Sequence, residues 1–306
     1  MKKRFVIGDK HRIALVYRPD TAPAVNLAKT LAQWLKERNY KVFTAPEQKP
    51  IQGTVGLKRR SALEGMGLVI VLGGDGTYLR AAQMLQGKCV PILGVNLGSL
   101  GFLTPIRAEE LFSTVEQALQ NKMELMPRSM IQVQLLRNGK VKHDLMALND
   151  VVIERGSLSQ LINISIYCEK MLVSEIKADG LIIASPTGST AYNLAAGGPI
   201  LHPAVRSFVV TPIAAHSLTS RPLIFPDDIQ LNFKLVGKLH PGSSLKRTRS
   251  TQDQAHFVVD GVKVDQISEG DQLVIRRSKM DHFMLRDPRQ NYFHLLREKL
   301  KFGDRA

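Results

Sequence analysis

The stretch "LVIVLGGDGTYLRAA", residues 68 to 82, decides the fold of the first part of this chain. Residues 68–72 are all apolar, which is typical of a strand buried on both faces of a parallel sheet. Three glycines follow, and one face of the helix predicted after them carries Tyr78, Ala81, Ala82 and Leu85. A strand, a glycine turn and a helix in this order can hold phosphate oxygens on the backbone N–H groups of the turn.

Asp75 lies inside this turn, although a carboxylate repels phosphate groups. A bridging divalent cation would resolve the conflict, since Mg²⁺ prefers phosphates together with one or two carboxylates. A role as proton acceptor would also resolve it, because a hydroxyl that attacks a phosphoryl group needs a base within reach. The alternative is an ordinary tight turn in which Asp75 is the helix N-cap. The turn is not a P-loop, because the pattern GxxxxGK[ST] occurs nowhere in the chain. It is a poor dinucleotide fingerprint as well, because Leu79 stands where the third glycine would be.

The pattern on both sides of this stretch alternates between strands and helices. Apolar strands are predicted at 12–17, 41–45 and 90–96. Helices are predicted around Leu27, Leu31, Trp34 and Leu35, and around Leu111, Val115, Ala118 and Leu119. Continuous apolar strands alternating with helices predict a parallel sheet covered on both faces.

The pattern changes after about residue 128, where half-buried antiparallel strands are predicted. Residues 161–167 and 229–236 alternate between apolar and polar, and shorter strands are predicted at 181–184, 208–210, 257–260 and 273–275. Residues 240–254 resemble a polar loop, and 290–300 a closing helix. We therefore predict an α/β domain over 1–128, a mostly β domain over 129–280, and a C-terminal segment with a helix over 281–306.

The composition of the chain limits the classes of partner and compartment that we expect for it. The 306 residues carry 42 Lys and Arg against 27 Asp and Glu, a formal charge of +15 that implies an anionic partner. The positive residues are scattered and no nucleic-acid motif accompanies them, so a nucleic-acid partner ranks last. Nothing resembles a signal peptide or a membrane span, and we expect a cytoplasmic protein without a membrane partner. Cys89 and Cys168 lack metal or disulfide spacing, and both are interpreted as buried small apolar residues.

Two further stretches carry polar groups beside predicted strands. "SPTGSTAYNLAAGGPI", 185–200, places Ser185, Thr187, Ser189 and Thr190 around Gly188. These hydroxyls suit a phosphate or polyhydroxyl ligand, although a helix cap would use one of them too. Asn149 and Asp150 interrupt the apolar run 145–153, and Asp179 precedes the strand at 181–184. A buried polar group must find a partner or serve a function. The histidines His202 and His216 are assigned no role.

Five motifs in this order resemble those of the NAD kinase family over nearly the whole chain. They are GGDGT at 73–77, "NLGSLGFLT" at 96–104, Asn149-Asp150, "DGLIIASPTGSTAYNLAAGGPI" at 179–200 and "NYFHLLREKL" at 291–300. Diacylglycerol and sphingosine lipid kinases share the GGDGT motif, whereas PTGSTAY is much more specific to NAD kinases. The chain departs from the family pattern at Val262, where many members carry a glutamine, and at Gln160.

The resemblance implies transfer of the ATP γ-phosphoryl group to the 2′-hydroxyl of the adenosine ribose of NAD. It also implies a Rossmann-like α/β domain, a β-sandwich-like domain, a last helix that returns to the first domain, and a homo-oligomer (dimer or tetramer). Mg²⁺ would be held mainly through the phosphates, with Asp75 as a candidate ligand. Asp75 matches the proton acceptor, and the ATP phosphates would contact Gly73, Gly74, Gly76 and Thr77. The implied NAD contacts are Asp75, Gly76, Asn149, Asp150, Lys177, Asp179, Thr187, Thr190, Ala191, Tyr192, Asn193, Leu194 and Ala195.

Two other functions remain open at this point. A lipid kinase of the GGDGT superfamily would need a large apolar acceptor site, which the hydroxyl-rich 185–190 turn argues against. A non-catalytic NADP(H)-binding sensor would bind the dinucleotide without phosphoryl transfer, and Asp75 would be dispensable.

Overall fold

The computed structural model describes residues 3–7, 10–156, 161–236 and 255–301. The chain divides into two compact units. The first unit contains residues 1–128 and 280–306, and the second contains residues 129–279. Each unit has its own sheets and its own apolar core.

The first unit is built on one nine-stranded sheet. Its strands are β1 (Lys3–Arg4), β2 (Arg12–Tyr17), β3 (Lys41–Thr44), β4 (Val55–Gly56), β5 (Leu68–Leu72), β6 (Ile92–Asn96), β7 (Ile106–Arg107), β8 (Glu124–Arg128) and β21 (His282–Arg286). The strand order is β1-β8-β21-β6-β5-β2-β3-β4, and β7 pairs with β6. All pairs from β21 to β4 are parallel, and β8 pairs with β1 and β21 in antiparallel fashion. The predicted parallel sheet is therefore confirmed.

The described residues of the first unit form four α-helices, of which the first three pack their apolar sides on this sheet. They are α1 (Ala22–Lys36), α2 (Asp75–Leu85), α3 (Leu111–Leu119) and α5 (Tyr292–Leu300), with 3₁₀ turns at Arg60–Gly65 and Ala108–Glu110. The buried side of α1 carries Ala24, Ala28, Leu31, Ala32 and Leu35, whose three- and four-residue spacing is that of one helix face. The closing helix α5 begins where the Asn291 side chain accepts a hydrogen bond from the N–H of Phe293 at 2.8 Å.

The second unit consists of two antiparallel sheets of six strands each. Its strands are β9 (Ile131–Arg137), β10 (Lys140–Ala147), β11 (Asp150–Arg155), β12 (Ile162–Cys168), β13 (Met171–Ala178), β14 (Gly180–Ala184), β15 (Ser207–Ile213), β16 (Leu223–Pro226), β17 (Leu231–Leu235), β18 (Ala255–Val259), β19 (Val262–Ile267) and β20 (Gln272–Arg277). One sheet has the order β10-β9-β20-β17-β12-β13, and the other β16-β15-β14-β11-β18-β19. A 3₁₀ turn (Gly188–Thr190) and the short helix α4 (Tyr192–Ala195) follow β14.

One apolar core joins the two sheets of the second unit. Val133 and Leu135 of β9 and Ile164 of β12 meet Val151 and Ile153 of β11 in the same cluster. Alternate residues along β9 point into this core and the residues between them are half-buried, as expected for a sheet with one face inward. The fold class predicted from the sequence, an α/β domain followed by a β-sandwich-like domain, is confirmed.

One expectation from the sequence is wrong, and two others concern residues that the structure does not describe. Cys89 is exposed and Cys168 is half-buried, so the interpretation of both as buried residues is wrong. Cys89 lies in the turn between α2 and β6, where Val90 takes the buried position instead. The polar loop at 240–254 and Gln160 lie outside the described residues. Within the described ranges, the helices are too short or too polar to cross a membrane.

Candidate active site

The glycine turn of the first unit lies at the switch point of its parallel sheet. Strand β3, which follows β2 in the sequence, pairs with one edge of β2, and the later strand β5 pairs with its other edge. Ligands of open α/β sheets bind at the carboxyl ends of the strands where the order reverses. Gly73 directly follows β5 at this point, and its N–H bonds the carbonyl of Val95 at the end of β6.

The three glycines of the turn differ in how much room the surrounding atoms leave for a side chain. A Cβ on Gly73 would approach Thr77 Oγ1 to 2.5 Å, so the fold itself excludes a side chain there. A Cβ on Gly74 or Gly76 would meet no atom within 4 Å. The room above these two residues lets another molecule approach the backbone, whose first N–H groups at a helix start have no partner within the helix.

Asp75 is the first residue of α2, and its carboxylate accepts four hydrogen bonds from the segment 102–104. Oδ1 accepts from the N–H of Leu103 at 3.0 Å, and from the N–H and Oγ1 of Thr104 at 3.1 and 2.9 Å. Oδ2 accepts from the N–H of Phe102 at 2.9 Å. Each carboxylate oxygen offers about two acceptor positions. The three bonds to Oδ1 therefore saturate it, whereas Oδ2 accepts one bond and keeps a position for an external group.

The alternative interpretation of Asp75 as a helix cap is wrong. The N-cap of α2 is Gly74, and no side chain caps the helix. The Asp75 side chain turns away from its own helix toward a segment 27 to 29 residues later in the chain.

The loop between β6 and β7 is shaped around this carboxylate. The Asn96 amide donates to Thr104 Oγ1 at 3.0 Å, and its oxygen accepts from the N–H of Gly98 at 2.6 Å. A Cβ on Gly101 would approach Asp75 Oδ1 to 2.0 Å, so only glycine fits at that position. The "NLGSLGFLT" motif of the sequence therefore serves to hold Asp75 in place.

The helix that carries Asp75 is anchored by a buried pair one turn further on. The Tyr78 hydroxyl lies 2.8 Å from Nε2 of His282 on β21. Burial and, to a smaller extent, the charge of Arg128 lower the pKa of His282 to about 3, so the imidazole is neutral. Burial also raises the pKa of the Tyr78 hydroxyl. A neutral hydrogen-bonded pair thus fixes α2 against β21 without a buried charge.

A cavity of about 500 Å³ adjoins the same loop within the first unit. Its walls are the loop from Asn96 to Leu100, the segment from Arg107 to Glu109, and Glu298, Lys299 and Lys301 near the end of α5. Its volume lies in the range of ligand sites, and its wall shares Asn96 and Gly98 with the loop that holds Asp75.

The second unit brings Asn149 and Asp150 together with the hydroxyl-rich turn. The N–H of Ser185 bonds the carbonyl of Asn149 at 2.8 Å, and Ser185 Oγ bonds the carbonyl of Leu148. A Cβ on Gly188 would lie 2.1 Å from the Asn149 carbonyl oxygen, so the two segments are in direct backbone contact. Asn149 Oδ1 is buried and accepts no hydrogen bond from any described residue, which costs about 1–3 kcal/mol unless a ligand supplies a donor.

Asp150 and Asp260 form a pair of buried carboxyl groups in this unit, with exposures of 5% and 8%. Burial raises the pKa of Asp150 to about 7, and the nearby Asp260 carboxylate contributes to the rise. Burial also raises the pKa of Asp260, although three backbone N–H groups that donate to its carboxylate oppose the rise. Asp150 is therefore the member of the pair that holds a proton near neutral pH.

This pair predicts a pH-dependent stability. The folded state keeps the Asp150 proton up to pH about 7, whereas an unfolded carboxyl group loses it near about pH 4. The free energy of unfolding therefore falls as the pH rises through this range. We expect Asp150→Asn to be more stable than the wild type at pH 8 by at least about 1.4 kcal/mol, the free energy of one pKa unit. At pH 4 the two proteins should be equally stable.

Urea unfolding at pH 4 and pH 8 measures this difference, with Asp144→Asn on an exposed position as the control. A stabilisation by Asp150→Asn of equal size at both pH values would show that the charge of Asp150 is not its cause.

The remaining predicted residues of the second unit fall into three groups. Asn193 is fully buried. Its amide NH₂ donates to the carbonyls of Ser189 and Pro199, and its amide oxygen accepts from the hydroxyl of Thr211. Thr187, Thr190, Ala191 and Leu194 are half-buried, and Tyr192 and Ala195 are exposed. Lys177 is exposed, and Asp179 forms an ion pair with Arg155 at 2.9 Å.

The structure does not bring Lys177 and Asp179 to Asn149. Strand β14 separates them, because Asp150 pairs with Ala184 at one end of β14 and Glu154 with Gly180 at the other. From Asp179 to Ser185 the chain covers about 20 Å at about 3.3 Å per residue. The predicted contacts of Lys177 and Asp179 stay predictions.

Sequence reasoning missed the residues that hold the site in place. Thr104 and Gly101 lie inside a motif quoted from the sequence, but nothing in its residues pointed to Asp75 as the partner. Asp260 belongs to an Asp-Gly pair between two apolar runs, a hairpin signal that could have been recognised. Its contact with residues 148–150 could not.

Comparison with known proteins assigns both units to one family. The family model described as ATP-NAD kinase N-terminal domain matches residues 13–123, and the ATP-NAD kinase C-terminal domain matches residues 148–286. The chain belongs to the NAD kinase family. The matches over both units favour this family over the lipid kinases that share GGDGT.

Relatives within the NAD kinase family are similar over their whole length. The NAD kinase of Bdellovibrio bacteriovorus is 56% identical over 304 residues, covering 99% of this chain and 96% of the relative. The NAD kinase of Koribacter versatilis is 38% identical over 296 residues, covering 96% of this chain and 99% of the relative.

Two solved structures share the fold of this chain. Yeast NADH kinase complexed with NADH matches with a TM-score of 0.87 and 23% identity, over 96% of this chain and 88% of that one. An NAD kinase from Archaeoglobus fulgidus in complex with ATP matches with a TM-score of 0.73 and 22% identity, over 95% of this chain and 100% of that one. At these identities the likeness supports the two-domain architecture described above.

Proposed function

We propose that this protein is an NAD kinase that transfers the γ-phosphoryl group of ATP to the 2′-hydroxyl of the adenosine ribose of NAD, giving NADP. Membership of the family, the names of the full-length relatives and the complexes of the two solved neighbours with NADH and ATP support this proposal. The observation that carries it is the Asp75 carboxylate, fixed at the glycine turn with one acceptor position left on Oδ2.

Asp75 Oδ2 is the atom that we assign to the acceptor hydroxyl. The N–H of Phe102 occupies one side of this oxygen, and the other side can accept a hydrogen bond from the ribose 2′-hydroxyl. Phosphoryl transfer depends mainly on positioning and electrostatic stabilisation, so Asp75 orients the hydroxyl and takes its proton late. We assign the phosphates of ATP to the turn of Gly73, Gly74, Gly76 and Thr77 at the start of α2. The N–H groups of Gly74 and Gly76 are the donors in this assignment, because those of Gly73 and Thr77 already bond the carbonyls of Val95 and Gly74.

The residues present fit a magnesium ion held mainly through phosphates. In the described part of the chain, no group of three or more His, Cys, Asp or Glu side chains could hold a metal ion. The one position left on Asp75 Oδ2 can take either the acceptor hydroxyl or Mg²⁺. Because we assign it to the hydroxyl, the ion would be held through phosphates and water, which commonly supply most ligands of Mg²⁺. Bound there with ATP, the ion would neutralise charge that develops on the transferred phosphoryl group.

The second unit supplies the residues that we assign to NAD. Asn149 Oδ1, buried and without a hydrogen bond from a described residue, would accept one from an amide or amino group of the dinucleotide. Asp150 and the turn from Thr187 to Ala195 would contact the same ligand, and so would Lys177 and Asp179.

We also propose a homo-oligomer located in the cytoplasm. Edge strand β13 exposes Met171, Leu172 and Val173 at 75, 53 and 38%, and an apolar edge strand favours pairing with another chain. Both cysteines are free thiols, in keeping with a reducing compartment. Light scattering after gel filtration measures the oligomeric state, and a monomer at micromolar concentration would contradict the first part of this proposal.

The activity is tested by formation of NADP from NAD and ATP in a coupled dehydrogenase assay. We expect turnover with Mg²⁺ and a loss of at least about 100-fold when EDTA removes the metal, because the ion stabilises the charge of the phosphoryl group. Restoring Mg²⁺ should restore the rate, and a Ca²⁺ addition serves as the control for simple charge screening. Tight NAD or NADP binding without any transfer would instead favour the sensor.

A further inference from the structure

We propose that Asp260 is a positioning residue for NAD, through the backbone of residues 148–150. This inference rests on the proposed assignment of Asn149 and Asp150 to the dinucleotide. Asp260 itself would not touch the ligand. Its carboxylate would hold the segment that does.

Three backbone N–H groups converge on the Asp260 carboxylate. Oδ2 accepts from the N–H of Leu148 at 2.9 Å. Oδ1 accepts from the N–H groups of Asn149 at 2.7 Å and Asp150 at 3.1 Å. The partners lie 110 to 112 residues earlier in the chain, so this is a tertiary contact and not a local turn. Hydrogen bonds to a charged acceptor are stronger than neutral ones, and together these fix three consecutive residues.

The turn that carries Asp260 is a tight two-residue hairpin turn. Asp260 and Gly261 have φ angles of 46° and 77° and link β18 to β19 between the paired residues Val259 and Val262. Positive φ at both central residues is the type I′ geometry that matches the twist of a hairpin. The N–H of Asp260 also bonds the carbonyl of Asp150 at 3.0 Å. The main chain and the side chain of Asp260 thus both bind the segment.

The segment is held on its other side by the hydroxyl-rich turn. Ser185 bonds the carbonyls of Leu148 and Asn149, and Gly188 is in contact with the Asn149 backbone. The backbone of Asn149 is therefore clamped between two elements, while its side-chain Oδ1 accepts no hydrogen bond from the described residues. This arrangement fixes the direction of Asn149 Oδ1, the acceptor that is left for a ligand. Asp260 is one of the two elements that hold the Asn149 backbone.

Burial of the Asp260 carboxylate is energetically unfavourable, and packing alone does not explain why a charged residue stands at this position. The residue is only 8% exposed, and burial of a carboxylate is unfavourable. A second carboxyl group, Asp150, lies beside it. An Asn-Gly or Gly-Gly pair would form the same hairpin without this charge. The carboxylate is therefore retained for the three N–H groups that it holds.

Two variants of the full-length protein test the assignment. Asp260→Asn keeps the turn and Oδ1 but presents an NH₂ group to the N–H of Leu148, and Asp260→Gly keeps the positive φ and removes the acceptors. For each, KM for NAD, KM for ATP and kcat are measured. We expect KM for NAD to rise about tenfold, the equivalent of one charge-assisted hydrogen bond. KM for ATP and kcat at saturating NAD should change less than about twofold, since the loss lies in binding of one substrate.

Two comparison variants separate this inference from the assignment of the NAD site. Asn149→Ala reports whether the segment contacts NAD, and Lys263→Ala changes an exposed residue of the same hairpin and should behave as the wild type. A raised KM for NAD in Asn149→Ala and both Asp260 variants supports the proposal. If Asn149→Ala raises this KM while the folded Asp260 variants do not, the positioning role is wrong and the NAD site stands. If Asn149→Ala leaves it unchanged, both assignments are wrong.

A merely structural role would give a different result. General destabilisation of the second unit would lower the fraction of active enzyme. The apparent kcat would then fall, while KM for NAD and KM for ATP would stay unchanged. Equal effects on KM for NAD and KM for ATP would likewise overturn the proposal. Circular dichroism of the free variants confirms the fold before the kinetics are compared.

Discussion

Asp75→Asn should lower kcat at least about 100-fold, the lower end of what a positioned base contributes. The structure gives the reason, since Oδ2 is the acceptor with a free position and an amide nitrogen there donates instead of accepting. KM for NAD and KM for ATP should change little, because the lost interaction belongs to the transition state. Steady-state kinetics of NADP formation measure all three quantities.

The matched control separates base chemistry from anchoring of the loop. Thr104→Val removes one hydrogen bond to Oδ1 but keeps the carboxylate and the N–H donors of residues 102–104. We expect it to lose less than about tenfold in kcat, because Oδ1 keeps two N–H donors and Oδ2 is unchanged. An Asp75→Asn enzyme within a few-fold of the wild type would remove Asp75 from the role of base. Equal losses in both variants would assign Asp75 to the loop alone.

Gly101→Ala should have the second large effect, a loss of about 100-fold in kcat. The new Cβ would lie 2.0 Å from Asp75 Oδ1, 2.7 Å from its Cγ and 2.4 Å from Thr104 Oγ1. The carboxylate cannot rotate away freely, because four hydrogen bonds hold it. It must shift by about 1 Å, and a shift of that size in a catalytic group costs about 100-fold.

Gly98→Ala is the control for Gly101→Ala in the same loop. Its Cβ would meet only Asn96 Oδ1, at an ordinary contact distance of 3.8 Å, and its N–H would still donate to that oxygen. We expect its kcat and melting temperature to stay close to those of the wild type. A Gly101→Ala enzyme as active as Gly98→Ala would show that the position of Asp75 in this loop does not limit the rate.

The sequence predicted the local structure well because local structure depends on near neighbours. The apolar run at 68–72 became β5, and the three- and four-residue spacing around Leu31 became α1. Motif order was enough to predict the family, since each motif is a short stretch of adjacent residues. Exposure was less predictable, as Cys89 shows, because the packing of the turn between α2 and β6 decides which neighbour is buried.

The sequence by itself determined the two-domain architecture, the family and the residues at which the chemistry was sought. Only the tertiary structure decided what holds them: Asp75 by residues 102–104, and Asn149 by Asp260 and the 185–188 turn. The physical reason is the range of the interactions. Helix and strand preferences act over a few residues, whereas these hydrogen bonds join residues 27 to 112 positions apart and exist only once the sheets have paired.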